Sequence, residues 1–141
     1  MSQININFNV SRKDAKMFIT SIEYVILNTQ NQQAKKRLYT ILNEIKFDYW
    51  KDDKILLFVS QGLRIVTRKP IHLKSKLQSE LGIPEIWIHR TLYKMCNDII
   101  ERLMHLSKKN KPYKSVTPNQ ASTCKTVHDI IKLIRSTYDK A

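Results

Sequence analysis

The sequence predicts a small, mostly helical α+β protein, and three observations carry that class. Apolar residues recur at three- and four-residue spacing over most of the chain. Only two glycines and four prolines interrupt 141 residues, too few for a loop-rich scaffold. Two stretches, near the N-terminus and at 55–67, depart from the helical period toward that of strands. At 42% hydrophobic residues the chain is long and apolar enough to bury a core as a single domain.

The elements follow in order. "INFNV" (6–10), with Ile4, alternates apolar and polar as a half-buried strand does. Ser11 stops it and is placed to cap a helix, with Asp14 three residues on. Ala15, Phe18, Ile19, Ile22, Val25 and Ile26 line one face of that helix, and "NTQNQQ" ends it. Leu38, Ile41, Leu42 and Ile45 repeat the spacing in a second helix, completing a strand-plus-two-helix part over 1–53.

"FDYWKDDK" reads as a polar turn, after which "ILLFV" and "LRIVT" read as two short strands around "SQG", with Gly62 free to turn left-handed. One helix running through Ile65 is the competing reading of the same letters. Ile71, Leu73, Leu77 and Leu81 then predict a short helix ending at Gly82, and Pro84 suits the first turn of the next. That helix carries Ile88, Leu92, Met95, Ile99, Leu103 and Leu106, closing a second part over 54–106. A basic loop occupies 107–117. Thr117 as N-cap, Pro118 at the first position and Gln120 closing a capping box open a last helix over 118–139, with Ala121, Cys124, Val127, Ile131, Ile134 and Tyr138 inward.

Charge narrows the function. The formal net charge is +13, split as +3 over residues 1–60 and +10 over 61–141. Self-repulsion of that size favours a polyanionic partner, with nucleic acid the commonest. "MSQININFNV" has neither a basic n-region nor an apolar h-region, and the longest clear apolar run is "ILLFV". No signal peptide, no membrane span and a cytoplasmic or other intracellular location are therefore expected.

The stretch "LQSELGIPEIWIHRTL" (77–92) carries the sharpest motif. Gly82 sits at a corner, Leu81 packs before it, and Ile83, Ile88 and Leu92 follow at fixed offsets. Over these residues the chain resembles the helix-turn-helix DNA-binding proteins, with Gln78 standing where that motif favours Ala. The resemblance implies that the second helix enters the major groove, Arg90 meeting guanine and Lys94 a phosphate. "LRIVTRKP" (63–70) also resembles a ribbon-helix-helix strand, which would turn Arg64 and Arg68 toward one face. The basic loop "KKNKPYK" offers Lys108, Lys109, Lys111 and Lys114 as phosphate contacts and Tyr113 as a stacking ring. With Lys69, Lys74, Lys76 and His89 these complete the candidate nucleic-acid contacts, and Lys125, Lys132 and Arg135 extend the strip.

Other chemistries find little support. Cys96 and Cys124 fit no disulfide framework, and the pairs Cys124/His128 and Cys96/His105 fall short of four converging zinc ligands. With two glycines there is no phosphate-cradling loop, and His72, His89, His105 and His128 lack evident triad partners. No cofactor and no catalysis are expected. The expected function is a non-catalytic DNA-binding regulator or accessory factor. The alternatives are an RNA-binding subunit or RNA chaperone, and an oligomerising adaptor acting through the 88–106 stripe, with a homodimer among its forms.

Overall fold

A computed structural model describes residues 10–141. The strand expected at 4–10 therefore lies, but for Val10, outside the described residues. Every element that follows is a helix: α1 (Arg12–Asn28), α2 (Gln32–Leu63), α3 (Glu85–Arg90), α4 (Leu92–Leu106), α5 (Pro118–Ser122) and α6 (Val127–Asp139). The chain divides into two compact units, Met1–Trp50 and Lys51–Ala141, the boundary falling within α2.

The first unit holds α1 and the first part of α2. Ser11 caps α1, its side chain accepting the Asp14 N–H at 3.1 Å. Ile19, Ile26 and Leu42 are its buried core, with Ile22, Leu38, Ile45 and Tyr49 packed around them. The expected face of α1 is wider than the buried one: Phe18 and Val25 remain about half exposed.

The second unit corrects the α+β expectation. The 55–67 stretch is no β-hairpin: α2 runs through it to Leu63, and a turn over 64–66 follows. Ile55, Val59 and Leu63 are fully buried while Leu57 stays 44% exposed. That is a four-residue period, not the two-residue period of a strand. Gly62 is helical; a Cβ there would stand 2.5 Å from Met95 Sδ, so glycine serves close approach to α4 rather than a turn. The ribbon expected at 63–70 is likewise absent. "FDYWKDDK" is helical too: Lys51, buried, meets Asp139 at 2.8 Å, and Asp52 meets Arg135 at 2.9 Å, tying this part of α2 to α6.

The centre of the unit is α4, whose Leu92, Cys96, Ile99, Ile100, Leu103 and Met104 are all buried. It packs against α3, α5 and α6. The single helix expected over 88–106 is broken at Thr91 into α3 and α4. The last helix is broken as well. Thr117 and Gln120 form the expected capping box of α5, but Thr126 and Asp129 form a second one that opens α6.

The short helix expected to end at Gly82 does not form. Residues 71–82 form turns, and one of them closes with Gly82 at φ +66, its N–H donating to Gln78 C=O and that of Ile83 to Leu77 C=O. Thr67, buried beneath, donates from Oγ1 to Leu81 C=O at 2.7 Å and accepts the Lys69 N–H. The turn segment is then committed to α6. Val127 N–H, the first of that helix, donates to Ser75 C=O, and His128 N–H donates to Leu73 C=O. Asp129 N–H goes to Thr126 Oγ1. The first-turn donors that a helix cannot satisfy itself are thus met, two of them by the 73–75 backbone. Leu77 N–H donates in return to Lys125 C=O, and Lys76 and Thr126 form an antiparallel bridge. Segment 71–81 is a strap across the start of α6, and its backbone bonds compete with those a helix would use.

Helix and hairpin make opposite statements about neighbouring side chains. Val59→Ala is expected to lower the unfolding free energy by about 1.5–3 kcal/mol and Leu57→Ala by less than about 1 kcal/mol, read by urea denaturation. Equal costs would restore the strand.

The Asp129 carboxylate accepts the Lys125 and Thr126 N–H groups. The Lys125 bond, foremost, holds its pKa below the usual carboxylate value, against a smaller upward push from burial. A depressed folded pKa stabilises above the unfolded value and loses that stability as pH falls through the folded one. Relative to Asp129→Ala, the native chain is expected to be about 1 kcal/mol more stable near neutral pH. That advantage is expected to hold down to about pH 4 and to vanish below it, as thermal melts across pH would show.

Candidate nucleic-acid interface

The basic residues of the second unit are not spread evenly. Between Asp53 and Glu80 the chain carries six Lys or Arg and no acid, and between Glu101 and Asp129 again six and no acid. The bridge between Lys76 and Thr126 joins these two runs side by side. Lys74, Lys76 and Lys125 are exposed on the joined segments.

The nearby carboxylates are occupied. Asp129 is held by two backbone N–H groups, Glu80 Oε1 stands 3.4 Å from the Lys76 N–H, and Glu85 faces His89 Nε2 at 3.3 Å. Among the described residues no carboxylate forms an ion pair with Lys74, Lys76 or Lys125.

A cleft of about 300 Å³ opens where the strap, α3 and the α5–α6 junction meet. Its lining includes Lys76, Gln78, Ser79, Glu85, His89 and Lys125 at the exposed edge and Leu77, Ile88 and Cys124 below. Ser122 and Thr126 complete the walls.

Of the candidate contacts, Lys76 and His89 line this cleft, and Lys74 lies two residues along the strap. Lys69 reaches toward Gly82, its Nζ 4.0 Å from where a Cβ would stand. Arg64 and Arg68 are exposed ahead of the strap, and Arg90 is exposed at the end of α3. Lys94, on α4, extends over the Tyr93 ring at 5.9 Å. The loop residues fare differently. Lys108, Lys111 and Lys114 are exposed but do not line the cleft, and Lys108 takes a left-handed φ of 56°.

Two loop residues have other duties. Lys109 donates from Nζ to Tyr138 C=O at 3.0 Å and sits 4.4 Å over the Tyr138 ring, a cation at the negative end of α6. Tyr113 is half-buried against the core, and its hydroxyl donates to Glu101 at 3.3 Å. Burial foremost, then the Glu101 charge, raises its pKa. Within the strip, Arg135 is paired with Asp52.

Gln78 and Ser79 are not among the expected contacts, and Lys125, expected only as an extension of the basic strip, lines the cleft. The resemblance residues Leu81, Ile83, Ile88 and Leu92 are all buried. Of the helix pair that the resemblance implies, only the second member exists, as the six-residue α3.

The cysteines belong to the core. Burial, and next the neighbouring Cys124, pushes the Cys96 thiol up to about 12; burial, and next Asp129, pushes Cys124 to about 11. Both are neutral thiols near neutral pH, the weakly nucleophilic form. Among the described residues no three His, Cys, Asp or Glu side chains converge as a metal site, and no helix is long and apolar enough to cross a membrane.

Set against known protein families, curated proteins and solved structures, the chain matches none of them.

Proposed function

We propose that this chain is a non-catalytic nucleic-acid-binding protein whose Lys51–Ala141 unit holds phosphates along the strap and its neighbouring segments. One observation carries the reading. Two acid-free basic runs, distant in sequence, are joined by the Lys76–Thr126 bridge, and the carboxylates nearest them are taken up by backbone N–H groups and His89. Such a surface offers a polyanion several unpaired ammonium groups at once, and each phosphate neutralised releases counterions.

The same geometry favours unpaired or RNA strands over duplex groove reading. A groove-reading helix needs a partner helix crossing the backbone, whereas residues 71–82 are turns and α3 spans six residues. The DNA-regulator reading then rests on the sequence resemblance alone. The adaptor alternative has less support, since Ile88, Leu92, Ile99 and Leu103 of the 88–106 stripe are buried within the unit and Leu106 alone is exposed.

Binding to duplex DNA, single-stranded DNA and RNA of matched length, each titrated at several salt concentrations, tests the proposal. The triple variant Lys74→Ala, Lys76→Ala, Lys125→Ala is expected to reduce the slope of log affinity against log salt by roughly 2–3. Lys109→Ala is expected to leave that slope unchanged and to cost about 1 kcal/mol of stability. Salt-insensitive binding, or none, would remove the proposal.

A further inference from the structure

From the cleft beside the strap we infer a binding site for one nucleotide unit, its phosphate between Lys76 and Lys125 and its base against the apolar floor. This rests on the reading of the second unit as a nucleic-acid binder and names the ligand's form. The floor is Leu77, Ile88 and Cys124, exposed by 1%, 4% and 6%. Their edges and the aliphatic stems of Lys76 and Lys125 line the cleft with carbon, an apolar contact that a base can use irrespective of sequence.

The two lysines come to the cleft from opposite sides of the bridge, so a phosphate between them meets two ammonium donors. The edge groups complete the chemistry. Gln78 carries both a donor and an acceptor, Ser79 a hydroxyl, and the Glu85–His89 pair an acceptor beside a ring nitrogen. A base needs this mixture at its hydrogen-bonding edge, and a simple anion has no use for it.

Size sets the limit. About 300 Å³ stands at the small end of the range for small-molecule pockets, roughly 300–1,000 Å³. One nucleotide fits such a space and a paired duplex step does not. The ligand chemistry is therefore a nucleotide, supplied either free or as an unpaired residue of a strand.

The test uses the full chain, a short labelled single strand, the same sequence as a blunt duplex, and a free mononucleotide as competitor. Two variants fill the cleft from its exposed edge, Ser79→Trp and Gln78→Trp, and thermal melts verify that each is folded. The native chain is expected to bind the strand about tenfold more tightly than the duplex. Either variant is expected to remove that preference and leave duplex affinity unchanged. A mononucleotide that displaces the strand at the strand's own dissociation constant marks a free nucleotide as ligand. Displacement only far above that constant marks a strand-borne one, and both results support the site. Equal binding of strand and duplex, untouched by both variants, overturns the cleft while the basic surface stands. Failure of strand and duplex alike to bind at low salt overturns the basic surface, and the cleft with it.

Discussion

Three backbone hydrogen bonds hold the second unit in its working form. Two run from the first N–H groups of α6 to the carbonyls of Ser75 and Leu73, and one returns from Leu77 N–H to Lys125 C=O. A helix start leaves donors that must find partners when buried. Here Val127 is fully buried, so water cannot serve it, and the strap does. The demand of one helix end thereby fixes the path of residues 71–81, which a helix of their own would otherwise claim. Thr67, buried under the strap and bonded to Leu81, fastens its far end.

That constraint arranges the charge. A strap tied across the α6 start brings Lys74 and Lys76 beside Lys125, although the sequence separates them widely. Close lysines repel one another, and a folded chain ordinarily answers with carboxylates. In this unit the carboxylates answer elsewhere. Asp129 caps its own helix, Asp52 and Asp139 bind Arg135 and Lys51 at the α2–α6 contact, and Glu85 faces His89.

Much of the helical content was legible, and its boundaries were less so. Ser11 and the Thr117–Gln120 box mark helix starts by local chemistry, which a sequence carries openly. The inward residues Ala121, Cys124, Val127, Ile131, Ile134 and Tyr138 are all buried, as their spacing indicates. Yet the chain breaks between Ser122 and Val127, and the Thr126–Asp129 box that opens α6 stood unread because the apolar period runs on across it. A short apolar run such as "ILLFV" suits either period. Deciding for the helix takes Leu63 and the close approach of Met95 at Gly62, both set by packing against α4. The strap was least legible of all. The helical spacing of Leu73, Leu77 and Leu81, with Ile71 before them, loses to hydrogen bonds made with a segment far along the chain. For the site, Lys74, Lys76 and His89 could be named from charge, whereas Lys125 needed the bridge to join them. Lys109 was misleading for a related reason: its loop delivers it to the carbonyl end of α6, a destination that no local pattern announces.

The way α6 is capped also decides how an anion can be recognised. A free helix start attracts phosphate through its N–H groups and its dipole. The start of α6 has none to offer, since Val127, His128 and Asp129 donate to Ser75, Leu73 and Thr126. Recognition beside it must then come from side chains, and the lysines available there are flexible point charges on long stems. Such charges fix a phosphate loosely. On the proposed reading, selectivity would come from what surrounds it, the apolar lining and the mixed polar edge of the cleft. On the proposed reading, the basic strap alone would hold any polyanion, and the cleft beside it would discriminate by whether a base is free to enter.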